Sequence, residues 1–195
     1  MFNENGTVYI VREYVEGITL YDYVRNRGNI LTETEAMQFL KPVMEALEAI
    51  HKAGYYHGDF TSREVILTNT NQIKLLGFSE DHKFGINDIK MPAVVILHPV
   101  GAPEQYHSRA KIGPWTDVFC VCALLYGLLS GKQIPCIEDR LLGKDVTKFE
   151  ELRIKVRPNT SAAIMKGLAL RAEDRIQSIK ELMEYLYEGK KGKLR

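Results

Sequence analysis

The stretch that decides the fold is "WTDVFCVCALLYGLLSG", residues 115–131. Its apolar run, Val118 to Leu129, is twelve residues long. That length suits a helix buried in a protein core and is too short for a membrane span, which needs about 20 residues. Cys120 and Cys122, at positions i and i+2, face different sides of such a helix and form no pair of metal ligands. The sequence therefore predicts a core helix here.

Upstream, the segment "TETEAMQFLKPVMEALEAIHKAG", residues 32–54, predicts a second long helix. Its apolar residues recur at helical spacing: Met37, Leu40, Met44, Leu47 and Ile50. Thr32 and Glu35 have the spacing of a capping box at its start, and Gly54 is a stop signal at its end. Pro42 lies inside the helix, which predicts either a kink or separately broken first turns.

Runs of β-branched and aromatic residues predict strands. The run "TVYIVREYV", residues 7–15, follows the turn "ENG" at residues 4–6, which predicts a hairpin with a short first strand. The runs "EVILT" and "QIKLLGF", residues 64–68 and 72–78, flank the turn "NTN" and predict a second pair of strands. The β structure is thus limited to short elements.

Downstream of the core helix, two further helices are predicted at residues 161–170 and 178–189. Ser178 and Glu181 have capping-box spacing at the start of the second. Between the core helix and Pro158 the sequence has no regular pattern. The C-terminal half is therefore predicted to be helical with one irregular connection.

Composition limits the possible function classes. With 45% hydrophobic and 26% charged residues, the 195-residue chain can bury one substantial core as a single domain. Basic and acidic residues number 26 and 25, and the net charge of +1 gives no field that would draw the chain to nucleic acid or an anionic membrane. The three cysteines have no metal or redox spacing, and no signal sequence opens the chain. We expect a cytoplasmic protein with reduced thiols and no membrane span.

Six short motifs then carry a family resemblance. In chain order they are "YIVREYVEG", "HGDF", "KLLGFS", "GAPEQY", "GPWTDVF" and "EDRIQS". Their order resembles the hinge, the H-R-D loop, D-F-G, A-P-E, the central helix and the arginine-bearing turn of a serine/threonine protein kinase of the bacterial type. The resemblance implies a mainly α member of the α+β class: a kinase C-lobe, built as a helical bundle around the buried central helix with short β-hairpins.

The same resemblance divides the chain into three parts. Residues 1–18 match the last N-lobe strands and the hinge, residues 19–189 match the C-lobe, and residues 190–195 form a basic tail or linker. The Gly-rich loop, the V-A-I-K lysine and its glutamate partner would precede residue 1, so the N-lobe is largely absent from this chain. Met1 is either a true start or the edge of a cut in a longer chain.

The catalytic positions of the family are only partly filled. Asp59 stands at the position of the catalytic base, and His57 holds the loop, as a structural histidine does in the family. Glu64 replaces the metal-binding Asn, and Gly77 replaces the metal-binding Asp of D-F-G. Magnesium needs oxygen ligands, usually carboxylates, and Gly77 offers no side-chain oxygen. The resemblance therefore implies no metal site and a vestigial base.

Positions that would meet an adenine ring are also implied. Glu13 and Val15 would offer backbone groups to the edge of the ring, and Ile66 and Leu76 would form the floor beneath it. Arg12 falls at the position that gates the pocket behind the adenine, where a long cation is costly to bury unpaired. The implied contact with a nucleotide is weak.

Four further residues have architectural roles by resemblance. Phe78 is an apolar plug next to Gly77. Glu104 and Arg175 form a buried ion pair between the A-P-E segment and the last helices, and Asp117 braces the backbone of the catalytic loop. Three other histidines are assigned no role: His51, His98 and His107.

Two functions remain open. The first is a catalytically impaired kinase-like domain, a pseudokinase, that acts as a binding or regulatory module and needs no cofactor. The alternative is a divergent ATP- and magnesium-dependent kinase whose N-lobe lies outside this chain. The partner is expected to be a protein, or a second copy, bound through the N-terminal strand end, because that strand would have an uncovered edge.

Overall fold

The computed structural model describes residues 2–9, 11, 13–58, 61–78, 101–106 and 111–188. Arg12, Asp59 and the tail at 190–195 lie outside the described residues. The strands are β1 (Phe2–Glu4), β2 (Thr7–Tyr9), β3 (Gly17–Thr19), β4 (Val65–Thr68) and β5 (Ile73–Leu75). The α-helices are α1 (Leu20–Arg25), α2 (Glu33–Lys52), α3 (Pro114–Ser130), α4 (Ile137–Leu141), α5 (Pro158–Gly167) and α6 (Ile179–Tyr187). Two 3-10 turns complete the described elements, at Pro103–Tyr106 and Ala172–Asp174.

The predicted core helix is α3, and the other long helices pack around it. Thirteen of its 17 residues are buried, and it contacts α2, α5 and α6. Pro114 is suited to the first turn because its missing N–H would be unpaired there, and Gly131 ends the helix at φ +67°. Gly167 permits the close approach of α5, since a Cβ there would lie 2.2 Å from Cys122 Sγ. The core is thus centred on α3.

Helix α2 begins and ends where the sequence predicts. Thr32 and Glu35 form the capping box, and the helix stops at Ala53 before Gly54, which has φ +87°. Pro42 lies in one continuous helix, so the expectation of broken first turns was wrong. A single proline costs one helical hydrogen bond, and the buried face of α2 against α3 and α6 offsets that loss.

The N-terminal hairpin is shorter than predicted. Strands β1 and β2 pair from Phe2–Tyr9 to Glu4–Thr7 around a turn at Asn5 and Gly6, both with positive φ, as a type I′ turn requires. The predicted strand through residue 15 was wrong, because residues 13–15 are not in a strand. A strand needs a partner for its backbone groups, and the described pairs between β1 and β2 extend only to Tyr9.

A second sheet has the antiparallel order β3-β4-β5. The pairing of β4 with β5 was predicted, whereas β3 was not, because "GIT" is too short to show a pattern. Gly17 begins β3 because it passes close to β4: a Cβ there would lie 2.3 Å from the Leu67 carbonyl oxygen. This small sheet places the segment after β5 beside the loop that follows α2.

The C-terminal helices agree with the sequence, with two differences. The short helix α4 lies in the stretch that has no regular pattern. At the start of α6, the Ser178 side chain accepts a hydrogen bond from the Glu181 N–H, but the Glu181 carboxylate accepts from the N–H of Gln177 rather than from that of Ser178. The capping box is therefore only half formed.

Candidate functional site

Asp117 holds the loop that follows α2. The His57 N–H donates to Asp117 Oδ2 at 2.9 Å, and the Gly58 N–H donates to Asp117 Oδ1 at 2.7 Å. The Asp117 side chain is fully buried in the first turn of α3. Each carboxylate oxygen thus accepts from a loop amide, and the core helix fixes the loop in the way expected of Asp117.

His51 is a member of this cluster that sequence reasoning missed. Its Nε2 lies 2.7 Å from Asp117 Oδ2, and its side chain is 9% exposed. His51 lies in the last turn of α2, whereas Asp117 lies in the first turn of α3. The sequence gave little indication of this contact. A histidine in the last turn of a helix is also explained by the favourable interaction of its charged form with the helix dipole.

The His57 ring joins the loop to the segment after β5. Its Nε2 lies 2.8 Å from the Leu76 carbonyl oxygen, and the residue is 1% exposed. The Leu76 N–H in turn donates to the Glu64 carbonyl at 2.7 Å. His57 is therefore buried and joins the loop after α2 to the segment after β5.

Gly58, at the arginine position of the family motif, lies where there is little space for a side chain. Its φ is +77°, and a Cβ there would lie 2.9 Å from two ring carbons of Tyr56. Gln105, in the 3-10 turn at Pro103–Tyr106, donates from Nε2 to the Gly58 carbonyl and accepts from the Ala102 N–H. Gln105 thus holds the loop through a second contact. No sequence motif pointed to this residue.

The two metal-ligand positions of the family lie side by side. Gly77 has φ +90°, and a Cβ there would lie 3.3 Å from Glu64 Cγ and 3.4 Å from His57 Cε1. The Glu64 carboxylate accepts from the Thr61 N–H at 2.8 Å and from Thr61 Oγ1 at 2.6 Å. Oε2 of Glu64 therefore closes its own loop.

The side chains at these two positions differ from the metal ligands of the family. A kinase holds the metal with an Asp and an Asn, but here one position has no side chain and the other has a carboxylate oxygen that already accepts two hydrogen bonds. Across the described ranges, no cluster of three His, Cys, Asp or Glu side chains could hold a metal ion.

Of the four adenine positions, Ile66 lies in β4, Leu76 follows β5, and Glu13 and Val15 precede β3. Ile66 is 7% exposed, Leu76 is 37% exposed and Val15 is half-buried. Glu13 forms an exposed ion pair with Lys74 at 2.7 Å, and a hydrogen bond from the Lys74 ammonium lowers the pKa of its carboxyl. Contact of these residues with an adenine ring stays a prediction.

Phe78 packs edge-on against Tyr55, with ring centroids 5.7 Å apart, and is 37% exposed. Phe78 is thus a partly exposed apolar side chain at the end of the segment after β5. Tyr55 comes from the loop after α2, so this pair adds an apolar contact between the same two segments that His57 joins.

The structure brings Glu104 and Arg175 together. Arg175 Nη1 and Nη2 lie 2.7 and 2.8 Å from the two Glu104 carboxylate oxygens. Arg175 Nε donates to the Ala169 carbonyl at 2.7 Å, and Thr116 Oγ1 donates to Glu104 at 2.8 Å. The guanidinium also stacks over the Phe119 ring at 4.9 Å. Both charges are therefore buried with several hydrogen bonds.

Comparison with known proteins agrees with this geometry. Residues 1–190 match the family model described as "Protein kinase domain". Sperm motility kinase 2B of Mus musculus is 30% identical over 125 residues, which cover 64% of this chain and 25% of that protein. The probable serine/threonine-protein kinase PknB of Corynebacterium glutamicum is 28% identical over 189 residues, which cover 89% of this chain and 29% of that protein.

Among solved structures, the one described as "PpkA-294 apo form" has a TM-score of 0.75 and 26% sequence identity. The match covers 95% of this chain and 65% of that chain. The alignments with the two curated relatives thus span between a quarter and a third of each relative. Within the described residues, every helix is too short or too polar to cross a membrane.

Proposed function

The chain belongs to the protein kinase family, and we propose that it is a catalytically impaired member that binds a protein partner. Its fold is that of a protein kinase, and its relatives include serine/threonine kinases. The proposal concerns what this member has lost. Phosphoryl transfer depends on positioning and charge neutralisation by metal ligands, so their loss removes the main catalytic contribution of this lobe.

One observation carries the proposal: the pairing of Gly77 with Glu64. Gly77 leaves no carboxylate at the D-F-G position, and one oxygen of the Glu64 carboxylate, Oε2, accepts two hydrogen bonds from Thr61. Without these oxygens the charge on a nucleotide triphosphate stays largely uncompensated. We therefore expect no cofactor, and we prefer this function to the alternative of a divergent ATP-dependent kinase.

Magnesium–ATP binding tests this proposal. A ligand that binds only the folded state raises the melting temperature once its concentration exceeds its Kd. We expect millimolar ATP to give the wild type the same melting temperature with and without magnesium. The double variant Gly77→Asp with Glu64→Asn should gain a magnesium-dependent increase, because it restores the carboxylate and the amide.

The matched control is Gly77→Ala with Glu64→Asn. The alanine meets the same positive φ and the same crowding by Glu64 and His57, but it adds no oxygen ligand. Both double variants should lose stability without nucleotide, and only the aspartate version should recover some with magnesium–ATP. A clear magnesium–ATP stabilisation of the wild type would contradict the proposal.

The binding part of the proposal concerns the N-terminal hairpin. Phe2 and Tyr9 stack at 5.0 Å and are 48% and 39% exposed, and Val11 and Tyr14 are 73% and 86% exposed. Exposed apolar side chains next to a two-stranded sheet favour association by strand addition. We propose that this end binds a protein partner or a second copy of the chain.

Sedimentation velocity tests this end. The wild type should self-associate as concentration rises, and Val11→Glu with Tyr14→Glu should stay monomeric because the added charges oppose burial. The control is Leu141→Glu with Leu142→Glu, which places two charges on exposed apolar positions of α4 and its C-cap. If the wild type stays monomeric at high concentration, self-association is excluded and the partner must be a different protein. If both double variants associate equally, the hairpin end is not the surface that binds.

A further inference from the structure

Arg140 is a buried arginine on the short helix α4. Ile137 and Arg140 are the two buried residues of this helix. The Arg140 side chain is only 6% exposed. Arginine is almost never buried to this degree unless acceptors or an opposite charge compensate it. One half of the buried anchor of α4 is therefore a cation whose compensation needs an explanation.

Most of the hydrogen-bonding capacity of this guanidinium is unused. Arg140 Nε and Nη1 are buried and have no hydrogen-bond partner among the described residues. Nη2 lies 3.6 Å from Asp145 Oδ1, which is beyond the range of about 2.7–2.9 Å that is usual between a guanidinium and a carboxylate. The same oxygen accepts from the Val146 N–H at 2.7 Å, and the Asp145 side chain is 85% exposed. Asp145 therefore compensates the buried charge only weakly.

Arg175 shows how the same fold holds an arginine whose charge is compensated. Its Nη1 and Nη2 contact both carboxylate oxygens of Glu104, its Nε donates to the Ala169 carbonyl, and its Nη2 also donates to the Leu170 carbonyl. Arg140 is also buried, but it has no comparable set of acceptors within the described ranges. The difference indicates that the acceptors of Arg140 come from outside this part of the chain.

The electrostatic surroundings make the burial of Arg140 unfavourable. Burial lowers the pKa of its guanidinium, Asp145 opposes that effect, and the positive charge of Arg175 adds to it. An arginine nevertheless stays protonated in a protein. The buried Glu104 carboxylate is already bound by Arg175, so it does not serve both cations. An anion at Arg140 would offset the desolvation of the guanidinium and the repulsion between the two arginines.

Helix α4 is held weakly enough to admit such a ligand. Its N-cap residue, Cys136, makes no side-chain cap hydrogen bond. Ile137 is the apolar residue that the helix buries, whereas Leu141 and Leu142 at its end are largely exposed. A small outward movement of α4 would therefore expose Arg140 Nε and Nη1 while giving up the burial of a single apolar side chain.

We propose that Arg140 binds an oxyanion from solution, a phosphate or a carboxylate, and that the bound oxyanion anchors α4. Both groups offer at least two oxygens to guanidinium N–H groups, and these charge-assisted hydrogen bonds are stronger than those between neutral groups. The ligand supplies the acceptors that Nε and Nη1 lack and the negative charge that Asp145 supplies only weakly. The inference goes beyond the proposed function, since it depends neither on phosphate transfer nor on what binds the N-terminal hairpin.

Thermal unfolding in matched salts tests the inference on the whole chain. The wild type is melted at equal ionic strength in sodium chloride alone, with acetate or with inorganic phosphate, the added anion at about 20 mM, a concentration at which a ligand with a low-millimolar Kd stabilises the folded state. We expect an increase in melting temperature of at least about 2 °C relative to chloride. An increase with phosphate alone identifies a phosphate site, whereas an increase with acetate identifies a site that accepts carboxylates.

Two methionine variants separate this site from general salt effects. Arg140→Met should melt at a higher temperature than the wild type in chloride, because an apolar side chain replaces a weakly compensated buried charge. It should show no increase with either oxyanion. The control Arg171→Met changes an arginine that is 73% exposed and should keep the full increase. This control measures the stabilisation that phosphate gives to proteins in general through its exclusion from their surface.

Hydrogen exchange locates the effect on α4. The Leu142 and Gly143 amides donate to the Glu138 and Arg140 carbonyls, so their exchange reports on the opening of this helix and its C-cap. The oxyanion that raises the melting temperature should slow their exchange at least about threefold in the wild type and in Arg171→Met, but not in Arg140→Met.

Three results would overturn the inference. They are equal melting temperatures of the wild type in the three salts, an equal oxyanion increase in Arg140→Met and the wild type, and a lower melting temperature of Arg140→Met than of the wild type in chloride. The last result would show that the guanidinium is already compensated within the fold. The magnesium–ATP test stays separate, because it compares the same ATP concentration with and without magnesium, so that an oxyanion effect of the nucleotide cancels.

Discussion

Arg175 closes a two-point ion pair with Glu104, with both guanidinium Nη atoms within 2.8 Å of the carboxylate oxygens. The two side chains are 0% and 7% exposed. Arg175 follows the 3-10 turn at Ala172–Asp174, and Glu104 lies in the turn at Pro103–Tyr106. The pair therefore ties the segment before α3 to the segment before α6.

Removing Arg175 should strongly destabilise the fold. In Arg175→Ala the Glu104 carboxylate stays buried without its partner, and breaking a buried pair from one side costs about 3–5 kcal/mol. Urea unfolding should show this loss. The control Arg171→Ala removes an arginine that is 73% exposed and pairs with Glu173 on the surface, and it should leave the unfolding free energy nearly unchanged. Similar small losses for both variants would contradict the structural role of the buried pair.

Asp117 should be needed for the conformation of the loop after α2. In Asp117→Asn one carboxylate oxygen becomes an NH₂ group, which cannot accept from His57 or Gly58. A stranded buried donor costs about 1–3 kcal/mol. Hydrogen exchange should show faster exchange of these two amides, and urea unfolding should show lower stability.

The control for Asp117 is Asp174→Asn, since the Asp174 side chain is 63% exposed. It should leave the hydrogen-exchange rates of the His57 and Gly58 amides nearly unchanged, and likewise the unfolding free energy. Unchanged protection of the His57 and Gly58 amides in Asp117→Asn would show that the carboxylate does not hold the loop.

Glu33 should contribute pH-dependent stability. Burial acts to raise the pKa of its carboxyl, but hydrogen bonds from Thr160 and from the Arg157 backbone and guanidinium outweigh it and lower the pKa below its ordinary value of 4.5. Thr160 Oγ1 and Arg157 Nε lie 2.5 and 2.7 Å from Glu33 Oε1. A pKa lowered by folding gives stability that is fully present above 4.5 and is lost as pH falls through the folded pKa.

The test for Glu33 is Glu33→Gln, which should cost about 1–2 kcal/mol in urea unfolding at pH 7. The gap to the wild type should narrow as pH is lowered from 5 to 3, roughly the range in which the carboxylate takes up its proton. Glu138→Gln, on an exposed position of α4, should show no such trend. If the difference in unfolding free energy between wild type and Glu33→Gln grew as pH fell, it would contradict a pKa of Glu33 that is lowered by folding.

The three thiols should differ in reactivity. Burial raises the pKa of Cys122 to about 12, against a smaller opposing effect of the Arg175 guanidinium, while Cys136 is partly exposed at the N-cap of α4. Because the thiolate is the reactive form, a disulfide reagent should modify one thiol quickly in the native protein and all three after unfolding. Cys136→Ser should remove the fast reaction, and a fast reaction that persists would contradict the assignment.

Most helices could be predicted from the sequence because their signals are local. The apolar run of α3 and the capping box of α2 each lie within a few residues of the feature that they specify. Strand β3 could not be predicted, because its three residues form a strand only by pairing with β4, about 50 positions away. The extent of the N-terminal hairpin was overestimated for the same reason, since β-branched residues continue past the point where β1 can pair.

The site was predictable where a family motif fixes a residue, and less so where a contact is particular to this chain. His57, Glu104, Asp117 and Arg175 occupy motif positions, and the structure places them in contact with the backbone or the charge expected. His51, Gln105 and Thr61 have no such signal, because each is defined only by the residue that it meets in space. The contact of Glu64 with Thr61 likewise depends on the turn that both residues form.

The central claim is that this protein does not transfer phosphate, and the most direct measurement is transfer of radiolabelled phosphate from ATP with magnesium. The assay should use the protein expressed from its own reading frame, with Asp59→Asn and an active bacterial serine/threonine kinase alongside. The account predicts wild-type incorporation at background and equal to that of Asp59→Asn, while the active kinase labels its substrate. Incorporation well above background that disappears in Asp59→Asn would contradict it and establish a divergent enzyme.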